Sequence, residues 1–487
     1  MATDKRITML SNGFAYEGLM KYFEEISAIP RASYHEERIA DYLCDFAKKH
    51  SLEYYRDSTN NVLINAPATA GYEDRPAILL QGHTDMVCEK NEGVEHDFDT
   101  EGLDLYEEDG WIRARGTTLG ADNGVAVAVM LYVLDGGVDG HGPVQCLFTA
   151  SEEVGLDGVK AFDYSRVYAR RMINMDSADE RQIIAGCAGG QRSSVTFPAV
   201  GESLLAESLA KITVKGLAGG HSGEDINKGR ANANKLMGRI LHRVLADTDA
   251  RLVSVRGGTK DNAIPRECEA VVAVSDLEAL KGVVDRERDV LRCGLCAEDK
   301  GLSVECALVG VGQSVTAVDR ETAKKLVFLM HCVSNGVFEM NRNVEGIVEW
   351  SRNLGIVSCD AEGCKAVFSA RSSFESRIDA AEAELDAYAD ILGASVRHYN
   401  RYPGWNFAEV SPLRDAYVKA YGDVCGGEPE ITVIHAGLEC GFISEAVPDM
   451  DIISCGPVIL DLHSPDERMN KASFERFYTI IKNVIQA

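Results

Sequence analysis

Apolar and charged residues recur at helical spacing through the first 50 positions, in YEGLMKYFEEISAIP and EERIADYLCDFAKKH, each stretch closed by a breaker or a polar run. The pattern predicts two opening helices. From Asn61 it changes to short runs rich in branched residues, NVLINAP, PAILLQGHTDMV, VQCLFTASEE and RRMINMD, which is the texture of strands. Between the second and third lies GVAVAVMLYVLDGG, an almost unbroken apolar run that predicts a buried helix after a Gly-rich turn. Strand, helix, strand in this order predicts parallel or mixed α/β packing, where functional side chains collect at the carboxyl ends of strands.

After Asp176 the texture shifts. GCAGGQRSSV opens a segment whose strands, AKITVKGL, ECEAVVAVS, LSVECALVGV and VFSARSS, alternate apolar and polar residues as one-sided sheets do. Helices are predicted between them at Asn232 to Leu245, Asp276 to Cys293, Arg320 to Cys332 and Ile378 to Leu392. Mixed α/β texture returns after Tyr402–Pro403–Gly404 and runs through ITVIHAGLECGFI and DIISCGPVI to a closing helix, FERFYTIIKNVI. The organisation read from this is an α/β domain, a mixed sheet flanked by helices, built from residues 1–188 and 403–487, with an α+β domain, 189–402, inserted in it.

Composition narrows the function classes. At 487 residues the chain exceeds the ~250–300 at which a single core stops growing, in keeping with two domains. Fifty Lys plus Arg against 76 Asp plus Glu leave a net charge of −26, a field that repels phosphate backbones and disfavours nucleic-acid binding. The start has no basic stretch leading into an apolar one, so no secretory signal is read and a cytoplasmic location is expected. The longest apolar run, Val125 to Leu134, is ten residues, about half of the ~20 that span a bilayer, so no membrane segment is expected. The 14 cysteines are scattered, which favours reduced core thiols over bridges, and Cys293 and Cys296 form a lone CxxC without the second pair a structural zinc needs.

Candidate chemistry gathers in the α/β part. His83 and Asp85 follow the apolar run AILLQG, and a spacing of two in an extended segment points both to one face, as suits a metal-ligating His and the carboxylate that orients it. Asp122 stands between the turn GTTLGA and the helix NGVAVAVML. It reads either as an N-cap or as a group presented to a metal, since Gly116, Gly120 and Gly124 let backbone come close to something there. Glu152 and Glu153 follow VQCLFTAS; both reach one site only if the strand has ended, and otherwise they are two solvated acids beside a turn. Asp176 ends RRMINMD, and His463 lies in LDLHSPDERM. One His, a capping Asp, a Glu of a pair, an Asp and a late His make five N and O ligands without cysteine, a set that suits Zn²⁺, Co²⁺ or Mn²⁺ in a two-metal hydrolase site.

ILLQGHTDMV, GTTLGADNGVAVA, FTASEEVGLDG, INMDSADE, AGGHSGEDINKGRANA and LHSPDERM, in this order, resemble the M20 family of zinc aminopeptidases, carboxypeptidases and amidohydrolases. GADNGVAVA, HSGEDI, KDNAIPRE, HAGLECG and HSPDERM are most similar to its aminoacyl-histidine dipeptidase branch. The resemblance implies a catalytic domain and a lid, with two divalent metal ions, zinc first and cobalt or manganese as alternatives. His83 and Asp176 would hold one, Glu153 and His463 the other, and Asp122 would bridge them. It further implies Asp85 orienting His83, and Glu152 as general base and acid toward a hydroxide bridging the metals. His221 would stabilise the oxyanion, and Asn262, Arg371 and Gly437 would contact substrate.

A guanidinium offers two parallel donors to a peptide carboxylate, which suits Arg371 to a clamp; an ordinary surface Arg is the competing reading, and a loop His without duty is that for His221. His435 and Glu439 are not assigned as ligands, Glu439 being read as an amine-binding or supporting group. The activity implied is hydrolysis of Xaa-His and other dipeptides. A tripeptidase, an N-acyl amino acid hydrolase and a non-catalytic peptide binder are the alternatives, and a homodimer through the lid is expected.

Overall fold

The strands Ile78–His83 and Val144–Thr149 are buried along their whole length, which is why both read as unbroken apolar runs rather than alternating ones. In the computed structural model, which describes residues 10–487, they lie side by side and parallel, with His83 opposite Thr149. Arg171–Asn174 pairs in parallel with the other side of Ile78–His83, and Asp451–Ser454 continues the parallel run. Antiparallel pairing of Glu53–Arg56, Val62–Ala66 and Val144–Thr149 at one side, and of Gln182–Cys187 with Asp451–Ser454 at the other, makes the sheet mixed. Its strand order is 53–56, 62–66, 144–149, 78–83, 171–174, 451–454, 182–187, 430–434. Four neighbouring parallel strands therefore end at one edge, and the residues that follow them emerge on that side.

The opening helices are Glu17–Ser27 and Glu37–Lys49, and the closing one is Lys471–Gln486. With Ala121–Tyr132 and Pro412–Cys425 they bury their apolar faces in one core with the sheet. Ala121–Tyr132 is the apolar helix read from GVAVAVMLY; it packs on Ile78–His83 and Glu17–Ser27 and is buried at every position from Asn123 to Leu131. A small sheet, Leu105–Glu108, Trp111–Ala114, Ile459–Leu460 and Arg468–Asn470, grips both ends of the turn 461–467 that carries His463.

By backbone proximity the chain divides into two compact units. One comprises residues through Gly186, Trp405–Val433 and Leu438–Ala487; the other comprises Cys187–Gly404 and Ile434–Gly437. The short segment 434–437, which the sequence pattern groups with the C-terminal stretch, joins the second unit because the Ala188 N–H donates to the Ile434 carbonyl and Gly437 lies against Tyr402.

The second unit is an antiparallel sheet ordered 303–318, 201–215, 268–274, 251–257, 348–360, 363–372, 189–197, 395–402, with Gly336–Met340 added on Val348–Asp360. Its helices, Ala233–Asp247, Leu277–Arg292, Arg320–Cys332 and Glu375–Leu392, share one hydrophobic core with it. The α+β pattern of the sequence is this arrangement. One cysteine pair departs from the expected free thiols: register sets Cys359 opposite Cys364 on adjacent strands, and the two form a disulfide. Among the described residues no helix is long and apolar enough to cross a membrane.

Candidate active site

Three strands of the parallel run, Ile78–His83, Val144–Thr149 and Arg171–Asn174, each deliver one part of the site. Ile78–His83 ends on His83 itself, so Asp85 lies just past the strand, with its carboxylate still beside the His83 ring. The turn lets the Asp85 carbonyl oxygen approach His83 Nδ1 at 3.0 Å, with the nearest Asp85 carboxylate oxygen at 3.4 Å. The carboxylate itself accepts from Ser33 Oγ at 2.7 Å and from the backbone N–H groups of Glu152 and Glu153 at 3.0 and 3.2 Å. Asp85 thus joins the loop after one strand to the loop after its neighbour. Val144–Thr149 has ended by that point, which is the condition under which Glu152 and Glu153 can share a site.

Asp122 is not the helix cap. Its backbone departs from helical geometry, at φ −81° and ψ 108°, and the peptide it makes with Asn123 is cis. Its side chain reaches outward: Oδ1 lies 3.0 Å from His83 Nε2, and Oδ2 lies 3.3 Å from His463 Nε2. Asp176 Oδ1 is 3.6 Å from the same His83 nitrogen and accepts from Asn123 Nδ2 at 3.2 Å. Glu153 Oε1 stands 3.1 Å from His463 Nε2. Three groups result, each with candidate ligand atoms within 4.8 Å of one another: His83 with Asp122 and Asp176, Asp122 with Glu153 and His463, and His83 with Glu152 and Glu153. All six sequence-derived residues are brought together; His83, Asp122 and Glu153 each belong to two groups, and Asp122 is the one that links the group of Asp176 to the group of His463. His435 and Glu439 belong to none.

The electrostatics call for positive charge. His83 Nδ1 faces a carbonyl and so carries a proton, which leaves Nε2 a lone pair turned toward two carboxylate oxygens unless it is protonated as well. Burial works against the His83 cation, yet hydrogen bonds to Asp122, Asp176 and Asp85 raise it well above the ordinary range. Hydrogen bonds to Asp122 and Glu153 lift His463 to about 10. Burial raises Asp122, but His463 and His83 outweigh it and hold the carboxyl well below its usual range. Burial, reinforced by the Asp122 charge, lifts Asp176 to about 6. Burial also raises Glu152, against the pull of His83 and with Asp176, Glu439 and Glu153 adding to it. Among the described residues no Lys or Arg pairs with these four acids. A set of N and O donors that otherwise recruits protons fits divalent cations.

The second unit assembles the other sequence-derived residues. His221 pairs with Ala263 in a two-stranded ribbon, and the Ser222 N–H donates to the Asn262 carbonyl at 2.9 Å, so His221 and Asn262 adjoin. His221 Nδ1 faces the N–H groups of Gly223 and Glu224, both at 3.3 Å, which leaves its proton on Nε2. Burial and the nearby Arg371 keep its pKa below the ordinary value. Arg371 is not a surface residue: it is 5% exposed, and Nη1 donates to the Tyr402 hydroxyl at 2.7 Å. A Cβ on Gly437 would come within 2.8 Å of the Tyr402 ring, so that position has room only for glycine.

Helix, sheet and site together correspond to a known peptidase architecture. The model of peptidase family M20/M25/M40 matches residues 79–487. The chain belongs to that family. It is with its relatives a hydrolase of peptide bonds. It is 36% identical to the cytosol non-specific dipeptidase of Escherichia coli strain K12 over 471 residues, 96% of this chain and 97% of the relative. It is similar to the crystal structure of the aminoacylhistidine dipeptidase of Vibrio alginolyticus, at a TM-score of 0.93 and 34% identity, with 98% of this chain and 97% of that one covered. The aminopeptidase PepT of Bacillus cereus shares the fold at a TM-score of 0.56 and 16% identity over 97% and 98% of the two chains.

Several residues that support the site residues of either unit were given no supporting role by the sequence, Glu439 excepted. Glu467 accepts backbone N–H groups of the Gly-rich turn, and Arg31 fills the space that Gly120 and Gly124 leave open, so the close approach those glycines permit is to a guanidinium. Glu439 is fully buried and accepts from Gln81 Nε2 at 2.5 Å and Thr149 Oγ1 at 2.8 Å, which makes it a support for two strands of the site. Tyr402 reads in the sequence only as the start of a domain boundary. A charge in an otherwise apolar and Gly-rich stretch, HAGLECGFI, is the hint for Glu439.

Proposed function

We propose that this M20 enzyme is a cytoplasmic, metal-dependent dipeptidase that hydrolyses Xaa-His and other dipeptides. The observation that carries the proposal is Asp122, shared between a His83–Asp176 group and a Glu153–His463 group, with Glu152 beside them in a third. The first two pairs would each hold one ion, and Asp122 would serve both. Zinc suits N and O donors without cysteine, with cobalt and manganese as functional substitutes. When bound, the metals lower the pKa of water toward ~7 and polarise the scissile carbonyl.

The protein's own groups handle the protons and the substrate. Glu152, kept basic by burial and by neighbouring acids, takes a proton from the attacking water and hands it to the departing amine nitrogen. Asp85 fixes the backbone that presents Glu152. His221, with its proton on Nε2, donates to the carbonyl oxygen as it becomes an oxyanion. Arg371 takes the substrate's free carboxylate in a paired hydrogen bond, and Asn262 and Gly437 complete the contacts.

The dipeptide assignment is supported by the two relatives that match nearly the whole chain, one named a cytosol non-specific dipeptidase and the other an aminoacylhistidine dipeptidase. The test is release of histidine from Ala-His, Gly-His and β-Ala-His, with Ala-Ala-His and N-acetyl-histidine alongside, before and after chelation. Dipeptide hydrolysis that is lost with chelator and restored by Zn²⁺ or Co²⁺ is the expected result. Turnover of only the tripeptide or the acylated amino acid would move the enzyme to another activity within the family, and binding without turnover would make it a peptide binder.

A homodimer is proposed with it. Ser303–Val318 is a long edge strand with exposed Leu308, Val309 and Val311, the kind of unpaired edge that a second copy covers. Sedimentation at working concentration should give twice the monomer mass.

A further inference from the structure

Glu467 is 3% exposed, and its carboxylate receives four consecutive backbone N–H groups. Oε2 accepts from Leu119 at 2.8 Å and Gly120 at 2.9 Å, and Oε1 accepts from Ala121 at 2.9 Å and Asp122 at 3.3 Å. A carboxylate has about four lone-pair sites, so this turn uses all of them. Glu467 also lies in the turn of His463, where its own N–H donates to the Ser464 carbonyl at 3.0 Å. One side chain therefore ties the backbone of Asp122 to the loop that carries His463.

The opposite side of the same turn meets a buried cation. Arg31, 2% exposed, donates from Nη2 to the Gly120 carbonyl at 2.5 Å and from Nη1 to the carbonyls of Thr84 and Asp85 at 3.0 and 3.3 Å. Gly120 has φ +63°, and a Cβ there would stand 2.6 Å from Arg31 Nη2. Glu467 and Arg31 do not touch as an ion pair. Their opposite charges act through the turn 119–122, one on its N–H groups and one on a carbonyl, and Arg31 carries the connection on to the loop that follows His83.

We propose that Glu467 and Arg31 are positioning residues for metal binding, setting the Asp122 carboxylate between His83 and His463 by clamping the backbone on either side of it. The inference rests on the reading of Asp122 as a ligand of both metals. Because its two oxygens face different histidines, a shift of the turn by a fraction of an ångström lengthens one approach as it shortens the other. Neither clamp residue has a hydrogen bond to the Asp122 carboxylate, so the positioning passes through the backbone of the turn, while both charges also act on that carboxylate through space.

The test compares Glu467→Gln with Asp122→Asn and with Val125→Ala, a core change in the helix that follows. The readouts are zinc stoichiometry at graded free Zn²⁺, the visible spectrum of the Co²⁺-loaded protein, and the melting temperature of the metal-free protein. Glu467→Gln keeps the shape but turns an NH₂ group toward backbone N–H donors and removes the charge opposite Arg31. It is expected to weaken metal affinity roughly 10–100-fold, as loss of groups that orient ligands does, and to alter the Co²⁺ spectrum. Val125→Ala should lower the melting temperature with affinity intact. Wild-type affinity and spectrum in Glu467→Gln, beside a clear loss in Asp122→Asn, would overturn the clamp, as would an equal loss of affinity in Val125→Ala. Full metal binding by Asp122→Asn would instead remove the ligand reading on which the clamp rests. Should Glu467→Gln not fold, Glu467→Asp and Arg31→Lys are read by the same criteria.

Discussion

The Arg371 guanidinium is held by the Tyr402 hydroxyl at 2.7 Å, in a unit where the Arg371 Nε has no partner of its own. A cation that is buried with donors to spare suits an incoming carboxylate, and the phenol fixes one edge of its fork.

Tyr402→Phe is therefore expected to raise KM for dipeptides roughly tenfold with kcat little changed, the loss of one hydrogen bond to a charged group. Arg371→Ala should raise it further. Steady-state kinetics on a dipeptide and on its C-terminal amide checks the assignment, since the amide offers no carboxylate and should respond little to either change. Equal losses on both substrates would remove Arg371 from the carboxylate.

Glu152→Gln should lower kcat by roughly 10²–10⁴ while the protein keeps its full complement of metal. Activity and metal content measured on the same preparation separate this from ligand loss. Glu153→Gln, which alters a proposed ligand, should lower both.

Metal removal should destabilise the first unit. Asp122, Glu152, Glu153 and Asp176 stand together with His83 and His463 among them and, among the described residues, no Lys or Arg paired with them. Saturating Zn²⁺ at about 100 times its Kd adds about 2.7 kcal/mol to the stability of the loaded state. Melting temperature against free Zn²⁺ should rise continuously through that range, and a flat profile would contradict the metal site.

His435 should impose an acid limit on the second unit. Burial, with Arg371 and His221 nearby, pushes its imidazole down to about 3 from an ordinary 6.5, and Nε2 is paired with Ser351 Oγ at 2.7 Å. Between those values the unfolded chain binds a proton that the folded chain does not, so stability falls as pH drops from about 6.5 toward 3. From pH 7 to pH 5 this one group costs about 2 kcal/mol. Denaturant titrations at both pH values should show a smaller drop for His435→Asn than for the wild type.

Much of this was legible in the chain itself. Helical spacing marked Glu17–Ser27 and Glu37–Lys49, and unbroken apolar runs marked Ile78–His83, Val144–Thr149 and Ala121–Tyr132, because a residue buried on every side needs no polar face. The six acids and histidines that the structure gathers into candidate groups were singled out in the sequence too, since each stands at or after a strand end or a Gly-rich turn and the order of their motifs belongs to one family. What a chain segment does by its own periodicity, the sequence determined.

Only the tertiary structure decided which groups hold those residues in place. Asp122 reads locally as a helix cap, yet its turn is capped by Glu467, 345 residues away, and its carboxylate is freed to face two histidines. Asp85 reads as the partner of His83, and its carboxylate also fixes the backbone of Glu152 and Glu153. Arg31 and Tyr402 leave no motif at all. Hydrogen bonds between segments far apart in sequence depend on where the sheet brings those segments, and no local pattern of polar and apolar residues encodes that distance.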